Sequence, residues 1–274
     1  MKVVIPAAGL ATRFLPAAKS TPKEMLPVAG KPAIQWIVEE AVASGITAAV
    51  FITGRNKQSI EDHFDLSPEL DAALRARDRH QEADGLASIG EGIPIASVRQ
   101  GAPLGLGHAV LQAAPFVSEG FFAVMLPDDI YASRKPALAQ VISAAKSSQC
   151  SALALMEVPE EDVSKYGIVE GRKCGGGVFE ITSLVEKPEP GSTQSRLAVV
   201  GRYVLHHSVF DLLLTSTPGA GGEIQLTDSL ALLAEARGLV GVVCDGVRHD
   251  VGTYDGWLRA NVEISDDRTR AAAD

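Results

Sequence analysis

The chain has 274 residues, 46% of them hydrophobic, enough to bury the core of one large domain. A formal net charge of −9 argues against a nonspecific nucleic-acid or anionic-membrane binder, which needs a basic face to displace counterions from phosphates. The charge is uneven: from Met1 to Lys31 the cations Lys2, Arg13, Lys19, Lys23 and Lys31 stand against Glu24 alone, so an anion is expected near the start of the chain.

In chain order, the β-branched run Val3 to Pro6 predicts a strand that opens directly into the small-residue loop Ala7 to Arg13. Pro32 suits a first helical turn, and Ile34, Ile37, Val38, Ala41 and Val42 recur at helical spacing until Gly45. Ala48 to Thr53 predicts a buried strand, followed by a helix near Lys57 to Phe64, a strand at Ile93 to Val98, a helix from Gly107 to Pro115 and a strand at Phe121 to Leu126. This alternation predicts an α/β fold, a Rossmann-like, mostly parallel sheet with helices on both faces. Phe121 to Leu126 lacks polar alternation, as a central strand does, and runs into Pro127-Asp128-Asp129, where open α/β sheets place their ligands.

Beyond a strand at Ala152 to Val158 the pattern shortens to alternating segments at Tyr166 to Glu170, Gly177 to Val185 and Leu197 to Leu205. These predict a β-rich elaboration over about 159–222 within a single domain spanning 1–274. Helices at Ser208 to Leu214 and Glu223 to Ala236, a strand near Val240 to Cys244, a last helix from about Tyr254 and a loose tail over about 266–274 complete the prediction. Cys150, Cys174 and Cys244 are odd in number and far apart, as reduced thiols are. Pro6, Gly9 and Arg13 interrupt the only signal-like run, and no stretch is apolar for long enough to span a bilayer, so a cytoplasmic protein is expected.

The loop at Gly9 is neither common phosphate fingerprint. A dinucleotide loop requires Gly at Ala11 and Phe14, and a Walker A loop requires Gly-Lys-Ser/Thr where Phe14, Leu15 and Pro16 stand. What remains is a small-residue loop whose backbone N–H groups can approach phosphates, with Arg13 and Lys23 as counter-charges. Taken alone it is also an ordinary tight turn among solvated charges.

Context decides between these readings. The segment PAAGLATRFLPAAKSTPKEMLPVAGKP, Pro6 to Pro32, resembles the N-terminal signature of the sugar-phosphate nucleotidyltransferases. Around Phe14, Pro16, Lys23, Glu24 and Pro27 it is most similar to the bacterial UTP–glucose-1-phosphate uridylyltransferases. The resemblance continues in order through VRQGAPLGLGHAV (98–110), LPDD (126–129), YGIVEG (166–171), LVEKPEP (184–190), VVGRYVL (199–205), PGAGGEIQLTD (218–228) and DVGT (250–253). One position departs: the family usually has Gly where Ala11 stands, and a methyl group there is compatible with the loop if its φ stays negative.

The resemblance implies transfer of a uridylyl group from UTP to glucose 1-phosphate with release of pyrophosphate; dTTP as the donor, or a noncatalytic nucleotide-sugar-binding regulator, remain open. It implies that Arg13, Lys23 and Lys187 are catalytic, holding the triphosphate and the sugar phosphate. Ala7, Ala8, Gly9, Gln100 and Gly105 would bind the nucleotide, with Gln100 offering the base a donor and an acceptor together. Gly167, Glu186, Lys187 and Val199 would bind the sugar. Asp128, in preference to Asp129, and Asp250 would hold Mg²⁺, a hard ion that favours carboxylate and phosphate oxygens. His249 is expected to pack rather than ligate. A homodimer or homotetramer is implied, with no nucleic-acid or membrane partner. The absence of a Ser, His or Cys nucleophile fits, because a phosphate monoester with a second pKa of about 6 is already largely dianionic at neutral pH.

Overall fold

The computed structural model describes residues 1–117, 119–219 and 222–271, with 267–271 described by backbone alone. The first half contains β1 (Lys2–Pro6), β2 (Pro27–Val28), β3 (Lys31–Pro32), α1 (Ala33–Ala43), β4 (Ala48–Thr53), α2 (Gln58–Phe64), α3 (Pro68–Arg75), α4 (His80–Ala87), β5 (Ile95–Arg99), α5 (Leu106–Leu111), β6 (Phe121–Met125) and β7 (Asp129–Ala132). It continues with α6 (Ala137–Ser148), β8 (Ser151–Glu157), β9 (Gly167–Gly175), β10 (Val178–Glu186), β11 (Leu197–His206), α7 (Val209–Thr215), α8 (Leu226–Arg237), β12 (Leu239–Val243), β13 (Val247–Asp250) and α9 (Tyr254–Ala271).

The central sheet has the order β5-β4-β1-β6-β11-β8-β12-β10-β9. β1 lies parallel to both β4 and β6, β4 to β5, and β8 to β12; the reversed strands are β10 and β11. Alternation along each strand splits the core between two faces. Val3 and Ile5 of β1 join α1, α6 and α9 on one side, while Val4 joins α5, α7 and α8 on the other. The α/β fold with helices on both faces is therefore observed.

Some elements differ from expectation. α3, α4, α6 and the short strands β2, β3, β7 and β13 are additional to the predicted ones. β11, predicted within the β-rich elaboration, instead runs through the middle of the sheet between β6 and β8, while β9 and β10 form its far edge. The tail expected from about 266 is helical backbone to Ala271, and 272–274 lie outside the described residues.

One buried ion pair fastens the helical layer to the turn after β6. Arg202 of β11 is fully buried and meets Glu40 of α1 twice, from Nε at 3.0 Å and from Nη2 at 2.6 Å. Its remaining N–H groups donate to the carbonyls of Asp129 at 2.7 Å and Gly201 at 2.9 Å, and more weakly to Leu126 at 3.4 Å. Glu40 also accepts from the backbone N–H of Leu138 on α6 at 2.8 Å. Burial lowers the affinity of Arg202 for its proton, but Glu40 more than offsets this and holds its pKa above the usual arginine value. Removing one partner of such a pair leaves an uncompensated buried charge at a cost of about 3–5 kcal/mol. Glu40→Ala is expected to lose stability of that order in urea unfolding; a loss below about 1 kcal/mol would show that the clamp is dispensable.

Candidate active site

The site lies at the carboxyl ends of β1 and β6, as the strand polarity requires. After Pro6 the chain leaves the sheet in a loop whose backbone is free to face a ligand. Ala7 is the exception among the predicted nucleotide contacts: it is fully buried and its N–H donates to the Ile52 carbonyl at 2.8 Å. That hydrogen bond continues the β1–β4 pairing by one residue, so the accessible loop begins at Ala8. Ala8, Gly9, Leu10, Ala11 and Thr12 line a cavity of about 470 Å³ together with Lys23, Gln100, Gly105, Asp128 and Glu223.

A second cavity, of about 840 Å³, is lined by Arg13, Lys165, Tyr166, Lys187, Arg248, Asp250 and Arg259 among others. The two predicted metal ligands thus stand one in each cavity, and they converge. A Cβ on Gly252 would be 3.0 Å from Asp128 Oδ2 and 3.1 Å from Asp250 Oδ1, so both carboxylates face one small gap. The cause is local pairing: β7 and β13 form a two-stranded antiparallel ribbon in which Asp250 lies opposite Asp129. Val251 N–H donates to the Asp128 carbonyl at 2.8 Å and prolongs the register. Among the described residues no group of three or more His, Cys, Asp or Glu side chains is arranged to hold a metal.

Adjacent Asp128 and Asp129 have opposite fates, as neighbours at a strand end do. Asp129 is buried; its Oδ2 accepts from Gly201 N–H at 2.7 Å and its Oδ1 from the Arg248 guanidinium. Gly201 must be glycine here, because a Cβ would stand 2.5 Å from that same Oδ2. Burial pushes the Asp129 carboxyl up and would push Arg248 down. Asp129 and Asp250 more than reverse the second effect, so the arginine stays charged, while the Asp129 carboxyl remains above the usual carboxylate range.

Asp128 turns outward and accepts from Lys23 Nζ at 2.6 Å. Burial opposes charge on both groups, yet each partner outweighs it: Lys23 is held above the usual lysine value by Asp128 and Glu24, and Asp128 is held below the usual carboxylate range by Lys23. Lys23 is itself fixed by its neighbour, for Glu24 is buried against Lys57 at 2.7 Å.

Of the predicted sugar residues, Lys187 lines the second cavity, and Gly167 and Glu186 adjoin its neighbours Tyr166 and Lys187 along the chain. Gly167 and Glu186 are paired across the β9–β10 hairpin, and a Cβ on Gly167 would be 3.3 Å from Glu186 Oε2. Lys187 has the left-handed φ of 44°, donates its N–H to the Tyr166 carbonyl at 3.0 Å and places Nζ 3.2 Å from Glu186 Oε1. Val199 is buried in β11 opposite Leu155 and lines neither cavity. His249 is buried with Nδ1 3.1 Å from Glu263 Oε2 and lines the second cavity beside Asp250. In PGAGGEIQLTD, residues 220 and 221 lie outside the described residues. A separate cavity of about 540 Å³ against α2, α3 and α4 contains none of these side chains.

The expectation for Gln100 also changes, for it does not have a donor to spare: its amide nitrogen faces the Gly105 carbonyl at 3.2 Å and His108 Nδ1 at 2.9 Å, leaving the oxygen for a ligand. Residues that sequence reasoning missed include Arg248, His108 and Thr227, whose Oγ1 donates to Glu186 Oε2 at 2.7 Å. Arg248 was open to discovery, since strand period places it on the same face as Asp250. Thr227 and His108 had no such signal.

The nucleotidyl transferase family model matches residues 2–267. A UTP–glucose-1-phosphate uridylyltransferase of Bacillus subtilis is 48% identical over 263 residues, covering 96% of this chain and 89% of that protein. A UDP-glucose pyrophosphorylase solved in complex with UDP-glucose superposes with a TM-score of 0.88 at 39% identity, covering 97% of this chain and 98% of that one. A UTP-bound enzyme of the same kind from Acinetobacter baumannii gives a TM-score of 0.90 at 38% identity, covering 100% and 98%.

The remaining change concerns Ala11, whose φ is +55° and not negative. A left-handed L-residue costs roughly 1–2 kcal/mol, and the greater freedom of glycine in the unfolded chain returns about half of that. Ala11→Gly is therefore expected to stabilise the protein by about 0.5–1 kcal/mol; a lower melting temperature in the variant would contradict this account of the loop.

Proposed function

This chain belongs to the nucleotidyl transferase family, and from that premise we infer that it transfers a uridylyl group from UTP to glucose 1-phosphate, giving UDP-glucose and pyrophosphate. A phosphate oxygen of glucose 1-phosphate forms a bond to the α-phosphorus, the bond from that phosphorus to the bridging oxygen of the β-phosphate breaks, and pyrophosphate leaves with the electron pair. The nucleophile is already ionised at neutral pH, so no side chain need accept a proton. What the reaction asks of the protein is alignment and charge neutralisation.

In this reading the loop from Ala8 to Thr12, with Arg13 and Lys23, holds the triphosphate, and Lys187 steers the sugar phosphate toward it. Glu186 accepts from sugar hydroxyls and Thr227 keeps its carboxylate aimed. Gln100 and the backbone at Gly105 meet the base. Asp128 and Asp250 offer hard oxygens across one gap, a donor set that fits Mg²⁺, which takes one or two carboxylates and completes its shell with phosphate oxygens and water. Bound there, the ion would supply charge neutralisation on the phosphates. A homodimer or homotetramer working in the cytoplasm belongs to the same proposal; no helix among the described residues is long and apolar enough to cross a membrane.

The observation that supports these roles most strongly is the convergence of Lys23, Asp128 and Asp250, the first two lining one cavity and the third the other. Pyrophosphate release with Mg²⁺ and glucose 1-phosphate is expected with UTP, and dTTP in parallel measures tolerance of the added methyl. Lys23→Ala should lower kcat by about a hundredfold or more while remaining folded. Equal loss of activity and folding, or no product from any triphosphate, would contradict the reading.

A further inference from the structure

We infer that His108 is a positioning residue that sets base selectivity by locking the Gln100 amide with its oxygen toward the nucleotide. The inference rests on the reading that Gln100 faces the base. Gln100 is almost entirely buried, yet it lines the cavity bounded by Ala8, Gly9 and Gly105. Its backbone is held by the N–H donating to the Thr53 carbonyl at 2.8 Å, so only the amide end can vary.

Rotating that amide by 180° exchanges a donor for an acceptor, and two protein groups decide which way it lies. The Gly105 carbonyl, 3.2 Å from Gln100 Nε2, can only accept, so nitrogen must face it. The second amide hydrogen then points at His108 Nδ1, 2.9 Å away, which must present a lone pair. His108 accordingly carries its proton on Nε2, which stands 3.3 Å from the amide nitrogen of Gln112; two donors cannot face each other, so the Gln112 amide turns its oxygen to His108 and gives up the 3.2 Å contact of its nitrogen with the His108 carbonyl. Both hydrogens of Gln100 are thereby committed, and Oε1, without a hydrogen-bond partner among the described residues, is what the cavity receives.

An amide oxygen fixed in this way selects by repulsion as well as attraction. Uracil presents N3–H, a donor that the oxygen accepts. Cytosine presents an unprotonated N3 at the same place, setting lone pair against lone pair. Thymine shares the uracil edge, so His108 should not distinguish UTP from dTTP. Without His108 the amide has one fixed partner in place of two and can turn its nitrogen to a cytosine at the cost of the Gly105 contact alone.

The test is kcat/KM for UTP, CTP and dTTP with the intact enzyme, His108→Ala, His108→Asn and Gln100→Leu. Position 108 is half-buried on a helix, where alanine favours the fold. His108→Ala is expected to reduce the UTP:CTP ratio by about tenfold or more, the worth of one lost hydrogen bond with its orientation, with the loss on UTP falling more on KM than on kcat. The UTP:dTTP ratio should stay constant. His108→Asn, whose side-chain oxygen can stand near the Nδ1 position, should recover most of the UTP:CTP ratio. An unchanged UTP:CTP ratio in His108→Ala, with the ratio lost in Gln100→Leu, would overturn the inference and leave base reading by Gln100 intact. An unchanged ratio in both variants would refute base reading by Gln100, and the inference with it. Equal loss for all three nucleotides in His108→Ala would show a merely structural role and likewise overturn it.

Discussion

The turn that follows the central strand β6 is clamped by two guanidinium groups, Arg202 fully buried and Arg248 largely so, and the arrangement of the site depends on it. Arg202 takes the carbonyls of Leu126, Asp129 and Gly201 from within the sheet, anchored by Glu40 on the helical layer. Arg248 takes the Asp129 carboxylate from the β13 side, its guanidinium 5.7 Å from the Tyr166 ring centre. With carbonyls and carboxylate both held, the backbone has one way to run, and that way turns Asp128 outward. Arginine suits both positions because its planar, permanently charged fork makes several fixed bonds at once.

From this clamp the charges of the cleft follow. Asp129 stays with Arg248, so Asp128 is the acid available to Lys23, and the β7–β13 ribbon brings Asp250 across from them. Arg248 also reaches Asp250, at 3.5 Å, and so touches both the structural acid and an outward one. The product is a preorganised set of opposite charges in which Asp128, lining one cavity, and Asp250, lining the other, face one gap. Such a set suits a reaction in which negative charge moves between phosphates and no proton need be transferred.

Much of this was legible in the sequence because it obeys short-range rules. Short apolar runs predicted β1, β4, β6 and β8, and the acids after Leu126 were located by strand polarity. Resemblance brought together Arg13, Lys23, Asp128, Lys187 and Asp250, which composition could not have joined. What was not legible depends on long-range geometry. β11 looks like any alternating strand of the elaboration, and only its insertion between β6 and β8 makes Arg202 a core residue. Ala7 reads as a member of the loop until the β1–β4 pairing is seen to extend through its N–H. The sign of φ at Ala11 and the commitment of the Gln100 amide to His108 are set by atoms distant along the chain or by torsions that residue type does not dictate.

The most direct test of the division between the two acids is a comparison of Asp128→Asn with Asp129→Asn, measuring thermal unfolding and uridylyl transfer on the same preparations. The account predicts that Asp128→Asn melts near the parent protein and loses most of its turnover. Asp129→Asn, which sets an amide N–H against the buried Arg248 or the Gly201 N–H, should lose stability of the order of 3–5 kcal/mol. A stable, inactive Asp129→Asn beside an active Asp128→Asn would contradict it.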